Sequence, residues 1–509
     1  MFKQKNHNFI KFADVFERYL IRFIIANLVI LIAFQIILTQ ENLRIRISRA
    51  DVIETAGEIA GTKEVSGGVL EKGEIQPEYL TLELDYHIAL PKLKILVNGM
   101  NVAVKDGKFA YIGKEMPEGY WGEVLDGKGR VLIPGLINTH THVPMTLMRG
   151  YGDDMPLDRW LFDRIFPFED KLSAEDVYWG SMLGIAEMLA SGTTSFSDMY
   201  YFCGSIAKAV IESGIKANIG RGVSCFDETK KFADLPAYSE MLELVKSYHK
   251  YDGGRVLIDA APHSEYTTRP DILADIAEFA AANSLRVQVH LSETQKEHLE
   301  CVGRHGKTPA KVMEDSGLFD FPVTAAHCVW LSDIDVEILA KHKVFVAHCP
   351  QSNLKLASGI ARVGYMRQQG VSVTIGTDSA ASNNNLDMFE EMRTASLLAK
   401  GVTLDPCALP ANEIVYMATR AGALAQGRKD TGDIAEGYAA DFVILNTNRI
   451  SMTPSHNPLS NIVYSASGAD VETTAVNGRI LYHKGEFLTI DIERVLHEVR
   501  AHVKFLLDK

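Results

Sequence analysis

Two histidines at the end of an apolar segment are the first residues of this sequence that could do chemistry. The segment Val131-Leu-Ile-Pro-Gly-Leu-Ile-Asn-Thr-His-Thr-His142 ends with His140 and His142. Residues i and i+2 of a strand point to the same face, so both imidazoles can reach one ion. Neutral imidazole is a common ligand of zinc and related metals. The pattern favours a metal site, although two polar residues at a strand end would give the same pattern.

Similar residues recur at the ends of the other predicted strands. Between residues 131 and 378, apolar and often β-branched strands alternate with helical segments. Eight βα units predict a (β/α)8 TIM-type barrel of the α/β class, in which the chemistry lies at the C-terminal ends of the strands. The residues predicted at those ends are His140 with His142, Asp198, Arg221, His263, His290, His327, His348 and Asp378.

The segments that flank the barrel predict an accessory domain. Short strands separated by Asn-Gly, Asp-Gly and Lys-Gly turns precede and follow the barrel, and together they predict one small β-sandwich built from both chain ends. The predicted organisation is an N-terminal segment (1–45), a linker with partial strands (46–93), the first part of the small β-domain (94–132), the barrel (133–430), the second part of the β-domain (431–490) and a C-terminal helix (491–509).

The N-terminal segment predicts a hydrophobic helix. Residues 23–39 carry no charge, and the apolar stretch at about 20–39 approaches the roughly 20 residues that span a bilayer. We therefore expect a single membrane anchor there, with a buried or interfacial helix as the alternative. Basic residues lie on both sides of the stretch, so its orientation is poorly determined.

Composition narrows the partners and the compartment. The net charge of −13, without a stretch dense in Lys and Arg, argues against a nucleic-acid partner. The six cysteines form no Cys-x-x-Cys pair, which favours a reducing compartment. The barrel domain is therefore expected on the cytoplasmic side of a membrane, or free in the cytoplasm if residues 20–39 do not span one. A homo-oligomer is left open.

Six motifs give the chain a resemblance to a known superfamily. They are PGLINTHTH (134–142), APHSEYT (261–267), VHLSET (289–294), AHCVWL (326–331), AHCPQSNLKLASG (347–359) and GTDSAASNNNLDMFEEMR (376–393). Over residues 94–490 the chain resembles the amidohydrolase superfamily, within it the methylthioadenosine/S-adenosylhomocysteine deaminases and the related chlorohydrolases. The resemblance implies a barrel with a metal-dependent hydrolytic site.

The resemblance also implies the metal ligands. They would be His140, His142, His290 and Asp378, holding one divalent ion, most often Zn2+, with Fe2+ as the alternative. Three imidazoles and a carboxylate leave a position for water, whose pKa the metal lowers towards neutrality. Two-metal members of the superfamily use a lysine on the fourth strand, and residues 256–262 contain none.

Catalytic and substrate-binding roles follow from the same resemblance. Glu293 would carry a proton to a ring nitrogen, Asp378 would accept a proton from the attacking water, and His327 would act near that water. The residues expected to contact substrate are Glu169, Arg221, His263, Glu293 and Asp378.

The function implied is hydrolytic deamination of an adenosine-type nucleoside to the inosine analogue and ammonia. Methylthioadenosine, S-adenosylhomocysteine, 5′-deoxyadenosine and adenosine are the candidate substrates. The nearest alternative is dechlorination or deamination of triazines or other N-heterocycles. The alternative from another class is a membrane-tethered binding protein without catalysis, which a broken ligand set would favour.

Overall fold

The computed structural model describes the backbone of residues 79–84, 88–90 and 93–95, and the backbone and side chains of residues 99–119 and 122–509. The predicted N-terminal segment (1–45), with its membrane helix at about 20–39, lies outside these residues, as does most of the linker 46–93. Among the helices of the described part of the chain, none has the length and apolar character needed to cross a bilayer.

The strands that precede the barrel form sheets of the accessory domain. They are β1 (Tyr79–Leu84), β2 (Ile88–Leu90), β3 (Leu93–Ile95), β4 (Met100–Lys105), β5 (Lys108–Gly113), β6 (Glu123–Gly127) and β7 (Arg130–Pro134). One sheet has the order β5-β4-β1-β6. Its hairpin β4–β5 turns at Asp106-Gly107, where both residues have positive φ, as a two-residue hairpin turn requires.

Eight parallel strands then follow in the order of the chain. They are β8 (Leu136–Thr141), β9 (Thr193–Tyr200), β10 (Lys216–Val223), β11 (Val256–Pro262), β12 (Val287–Leu291), β13 (Val323–His327), β14 (Phe345–His348) and β15 (Ser372–Ile375). Two hydrogen bonds show that the first and last strands lie side by side. The Thr139 hydroxyl donates to the Ile375 carbonyl (2.8 Å), and the Asp378 N–H donates to the His140 carbonyl (2.9 Å). The predicted eight-stranded barrel is confirmed.

Helices separate the barrel strands and cover their outer faces. The helices are α1 (Leu157–Trp160), α2 (Phe166–Glu169), α3 (Ala174–Ala190), α4 (Cys203–Ser213), α5 (Pro236–Tyr248), α6 (Tyr251–Gly254), α7 (Pro270–Asn283), α8 (Gln295–His305), α9 (Pro309–Asp315), α10 (Asp333–His342), α11 (Pro350–Lys355), α12 (Val363–Gln368), α13 (Met388–Thr403), α14 (Ala411–Tyr416), α15 (Gly422–Ala425), α16 (Pro458–Tyr464) and α17 (Ile492–Asp508). Every residue of β8 and β9 is buried, as expected for parallel strands that are covered on both faces.

The chain returns to the accessory domain after the barrel. The returning strands are β16 (Phe442–Asn446), β17 (Val471–Val476), β18 (Arg479–His483) and β19 (Glu486–Phe487), which form a sheet with β7 in the order β19-β18-β17-β16-β7. Val102 and Phe109 of the first sheet share a buried cluster with Leu132, Phe442 and Ala475 of the second. The two sheets therefore pack together through an apolar core that both flanks of the barrel supply.

Candidate active site

The four predicted metal ligands meet at the C-terminal end of the barrel. His140 lies in β8, His142 directly follows it, His290 lies in β12 and Asp378 follows β15. The Nε2 atoms of His142 and His290 are 3.2 Å apart. Oδ1 of Asp378 lies 3.3 Å from Nε2 of His142 and 3.6 Å from Nε2 of His140. Residues from the first, fifth and eighth barrel strands thus present their ligand atoms to one small volume.

Backbone carbonyls fix the orientation of two of these imidazoles. Nδ1 of His142 donates to the Met199 carbonyl (2.6 Å), and Nδ1 of His290 donates to the His263 carbonyl (2.8 Å). A carbonyl can only accept, so each Nδ1 carries the proton and each Nε2 presents a lone pair. The lone pairs face each other, and the buried Nε2 of His140 has no hydrogen-bond partner among the described residues. A cation between these nitrogens would satisfy all of them, so the donor set fits a divalent metal.

His327 lies between this cluster and a carboxylate. One nitrogen each from His140, His290 and His327 falls within 4.8 Å of the others, so His327 borders the candidate metal position. Its Nδ1 donates to Oδ1 of Asn353 (2.9 Å), and its Nε2 is 3.7 Å from Oε2 of Glu293. Burial acts to lower the pKa of His327, but the charges of Glu293 and Asp378 outweigh burial and raise the pKa above its usual value.

Serine hydroxyls orient the two carboxylates that were predicted to be catalytic, those of Asp378 and Glu293. Oδ2 of Asp378 accepts from Ser352 (2.6 Å) and from Ser382 (2.9 Å), which leaves Oδ1 facing the imidazoles. Burial would raise the pKa of Asp378, but His142 and the other imidazoles, with the Ser352 hydrogen bond, hold it at about 2. Oε1 of Glu293 accepts from Ser358 (3.0 Å). In each of these carboxylates, one oxygen is thus held in place by serine hydroxyls.

These serines were not predicted from the sequence. Ser352 and Ser358 lie on or just after α11 and flank Asn353, so one short segment contacts Asp378, His327 and Glu293. Their position within a motif was the only sequence feature that could have indicated them. Ser352 and Ser358 lie in AHCPQSNLKLASG (347–359), and Ser382 lies in GTDSAASNNNLDMFEEMR (376–393). A motif does not say which carboxylate a hydroxyl will reach.

Two other residues at strand ends, Asp198 and His348, lie outside the cavity that contains the imidazole cluster. Oδ1 of Asp198 accepts from the Thr141 hydroxyl (2.8 Å) and the Val143 N–H (2.6 Å), which fixes the chain on both sides of His142. His348 is buried, and burial lowers its pKa to about 3, so it stays neutral at physiological pH. Neither residue lines the cavity that contains the imidazole cluster.

The predicted substrate contacts surround that cavity. Glu169 ends α2, and burial raises the pKa of its carboxyl to about 7. Burial also lowers the pKa of His263 to about 3, and its Nδ1 lies 3.1 Å from the Thr267 hydroxyl. Arg221 in β10 forms an ion pair with Glu240 of α5. Glu169 and His263 line the same cavity as the imidazole cluster, while Arg221 lies farther out.

The cavity has two compartments. The inner compartment, of about 80 Å³, is lined by His142, His290, His327, Glu293 and Asp378 among others. The outer compartment, of about 1070 Å³, is lined by Arg221 and residues of α4 and α5. Both compartments are lined by Phe166, Glu169, Tyr201 and His263. The two compartments therefore adjoin at these four residues.

Known proteins resemble this chain in sequence and in structure. A 5-methylthioadenosine/S-adenosylhomocysteine deaminase of Dictyoglomus thermophilum is 46% identical over 388 residues, which cover 76% of this chain and 90% of the relative. A 5′-deoxyadenosine deaminase of Methanothermobacter thermautotrophicus is 46% identical over 402 residues, covering 79% and 93%. The crystal structure of an adenosine deaminase from Xanthomonas campestris with bound zinc superposes with a TM-score of 0.79 at 30% identity, covering 84% and 99%.

The family assignment agrees with these relatives. The sequence model of the amidohydrolase family matches residues 131–481, which include the barrel and much of the second part of the accessory domain. The imidazole cluster and the carboxylates of Glu293 and Asp378 fall inside the matched range. The chain belongs to the amidohydrolase family.

Proposed function

We propose that this chain is a metal-dependent deaminase that hydrolyses adenosine-type nucleosides to the inosine analogue and ammonia. The names of relatives that are 46% identical over three quarters of the chain support this activity. The observation that carries the proposal is the convergence of Glu293, His327 and Asp378 on the compartment that contains the imidazole cluster. That compartment joins an acid, a base and a set of metal ligands, as hydrolysis of a C–N bond requires.

The metal is proposed to be a single zinc ion. His140, His142, His290 and Asp378 would hold it, since three neutral imidazoles and a carboxylate suit zinc and leave a position for water. When bound, the metal lowers the pKa of a water molecule and so supplies a nucleophile near neutral pH. The fourth barrel strand contains no lysine that could help to hold a second ion.

The acid and base steps fall to the two carboxylates and His327. Asp378, the acceptor, takes the proton that the water loses as the water oxygen adds to the ring carbon bearing the amine. Glu293 protonates the adjacent ring nitrogen, which makes that carbon more electrophilic. Asp378 then passes its proton to the amine, the C–N bond breaks and ammonia leaves. The hydroxyl of the intermediate returns a proton to Glu293 and becomes the carbonyl of the product. His327, 3.7 Å from Glu293, stabilises the negative charge that develops on the oxygen.

The shape of the cavity supports a nucleoside rather than a free heterocycle. The inner compartment of about 80 Å³ is small beside the roughly 300–1000 Å³ of ordinary ligand sites, so most of a nucleoside must lie in the outer compartment. Glu169 stands where the two compartments meet, and a carboxylate there can accept hydrogen bonds from two vicinal ribose hydroxyls. His263 also borders both compartments, and Arg221 lines the outer one only. The candidate substrates are methylthioadenosine, S-adenosylhomocysteine, 5′-deoxyadenosine and adenosine.

An assay of ammonia release tests this function. The protein is stripped with a chelator, reconstituted with zinc and incubated with the four nucleosides and with a chlorinated and an aminated triazine. We expect ammonia and the inosine analogue from at least one nucleoside, and neither halide nor ammonia release at a comparable rate from the triazines. A reconstituted protein that turns over no nucleoside would contradict the proposal, and rapid halide release would favour a chlorohydrolase.

A further inference from the structure

The turn between β12 and α8 carries Glu293, the proposed proton carrier. Ser292, the residue before it, has a φ of +47°, a left-handed conformation that costs a residue other than glycine free energy and persists only where neighbouring contacts hold it. The Ser292 carbonyl accepts from the N–H groups of Val329 (3.1 Å) and Trp330 (2.9 Å), in the segment after β13. One side of this strained turn is therefore held by the next βα unit.

The other side of the turn is held by the carboxyl of Glu297, in the first turn of α8. Its Oε1 accepts from the Ser292 N–H (3.0 Å), and its Oε2 accepts from the Glu293 N–H (2.8 Å) and, at 3.5 Å, from the Thr294 N–H. Glu297 is 5% exposed and lines neither compartment of the cavity. It therefore reaches the backbone of Glu293 without bordering the space that a substrate would occupy.

A capping carboxylate of the neighbouring βα unit differs from Glu297 in its reach. In a capping box, the carboxylate three residues after the N-cap residue accepts from the N–H of that residue. Asp335 of α10 follows this pattern, with its Oδ2 accepting from the N–H of Ser332, its N-cap residue (2.8 Å). Glu297 makes its two shortest bonds to the residues before Thr294, its own N-cap residue. Its longer side chain thus extends past the end of the helix to the turn that carries Glu293.

The contacts of Glu297 require a carboxylate. Burial raises the pKa of Glu297 to about 7, and the charge of Glu293 adds to this effect, whereas the N–H groups of the turn act to lower it. A carboxylate accepts through both of its oxygens, whereas the amide of glutamine has a single acceptor oxygen. The N–H groups of Ser292 and Glu293 bond to different oxygens, so a glutamine would leave one of them without an acceptor.

We propose that Glu297 is a positioning residue, which fixes the backbone of the turn so that the side chain of Glu293 points into the inner compartment. This role rests on the proposed deaminase function, in which Glu293 protonates the ring nitrogen. With the turn held, Oε2 of Glu293 lies 3.7 Å from Nε2 of His327, and its Oε1 accepts from Ser358 (3.0 Å). A displaced proton carrier slows proton transfer but leaves the binding of substrate intact. Loss of the Glu297 carboxylate should therefore lower kcat and change KM little.

Glu297→Gln and Glu297→Asp separate this role from helix capping. The first variant loses one of the two bonds to the turn, and the second retains a capping box like that of α10 but is too short to reach Ser292 and Glu293. In both variants, kcat for the nucleoside that the wild type deaminates fastest should fall by about thirtyfold, because a misplacement of about 1 Å costs up to about a hundredfold in rate. KM and zinc content should stay within about twofold of the wild type. The free energy of unfolding, from denaturant titration, should fall more in Glu297→Gln than in Glu297→Asp.

A double-mutant cycle with Glu293→Gln tests whether Glu297 acts through Glu293. In the Glu293→Gln background, Glu297→Gln should lower the remaining kcat by less than about twofold, because the group that it positions is already absent. Asp335→Asn is the matched control, since it removes the capping carboxylate of α10 and should lower stability but not kcat. Rates are expressed per bound zinc ion, so that incomplete folding or metal loading does not imitate an effect on kcat.

Three results would overturn this role of Glu297 alone. They are a Glu297→Asp variant with the kcat of the wild type, an effect of Glu297→Gln that is equally large in the Glu293→Gln background, and a rise in KM without a fall in kcat. Glu297→Asp provides the first test even if Glu297→Gln does not fold. Failure of the wild type on every nucleoside would remove the proposed function and the role of Glu297 with it.

Discussion

Two groups of buried polar side chains, one at each end of the eight-stranded barrel, are satisfied differently. At the N-terminal end, the buried Arg428 donates to the carbonyls of Ala217 (3.1 Å) and Arg255 (3.2 Å) and to Oδ1 of Asn218 (3.1 Å). Its Nε donates to Oε1 of Gln426 (3.2 Å). Every nitrogen of this guanidinium has a partner within the protein.

The C-terminal end has the opposite character. Nε2 of His140 is buried without a hydrogen-bond partner among the described residues, and the lone pairs of His142 and His290 face each other across 3.2 Å. Unsatisfied buried polar atoms cost free energy. A ligand that satisfies them recovers that cost on binding and stabilises the folded state. Arg428 at the N-terminal end is therefore satisfied by the protein itself, whereas the imidazole cluster at the C-terminal end is arranged for a ligand.

The largest expected effect concerns a carboxylate at the C-terminal end. Asp378→Asn keeps the size of the side chain but removes a metal ligand and the proposed base, so kcat/KM should fall by about a thousandfold or more. Ammonia release measures the loss, and circular dichroism checks that the variant is folded. Asp508→Asn, on the exposed end of α17, is the control and should match the wild type. A variant with a tenth of wild-type activity would contradict the proposed roles of Asp378.

The second-largest expected effect is a loss of stability at the N-terminal end of the barrel. Arg428→Met keeps most of the side-chain volume but leaves the carbonyls and Asn218 without their donor, so the free energy of unfolding should fall by about 3 kcal/mol. Denaturant titration measures this loss, with Arg500→Met at an exposed site as the control. The activity per folded molecule should not change. A loss of kcat with unchanged stability would mean that the two ends are not separate in function.

A smaller effect concerns the hydroxyl that orients Glu293. Ser358→Ala removes the hydrogen bond to Oε1 of Glu293, and kcat should fall by about tenfold because the hydrogen bond that orients this carboxyl is lost. KM should change little, since Ser358 does not line either compartment. Ser358→Thr retains the hydroxyl and should recover most of the activity. Equal losses in both variants would point to packing rather than to orientation of Glu293.

The smallest effect is a pH dependence. Burial raises the pKa of Glu169 to about 7, so its carboxyl is mainly protonated below that pH and ionised above it. The ionised form accepts stronger hydrogen bonds from the ribose hydroxyls, so kcat/KM should rise by about threefold as the pH increases from about 6 to about 8. Glu169→Gln should lower kcat/KM and remove this rise. A rise that persists in Glu169→Gln would assign it to another group.

The sequence predicted the C-terminal end of the barrel far better than the N-terminal end. His140 and His142 share one face of a strand, and the other strand-end residues follow from the regular alternation of strands and helices, so local periodicity was enough. Arg428 follows α15 in an irregular segment, and no local pattern links it to Ala217, more than two hundred positions earlier. Contacts of that kind depend on how the barrel closes.

Within the site, the same distinction separates what could be predicted from what could not. The fold places His290 and Asp378 at strand ends, where a sequence pattern can find them. The Ser352 and Ser358 hydrogen bonds and the Arg221–Glu240 ion pair depend on side-chain directions across different elements. Arg221 was expected as a substrate contact without any sign that a carboxylate of α5 would pair with it.

The metal content of the protein tests the central difference between the two ends most directly. Wild-type protein and His290→Ala are stripped with a chelator, reconstituted with zinc, freed of excess metal and analysed by mass spectrometry. We expect about one zinc ion per wild-type chain and a substoichiometric amount in His290→Ala, with ammonia release following the zinc content. Wild-type protein without stoichiometric metal, or His290→Ala with full metal and full activity, would contradict a metal site at the C-terminal end of the barrel.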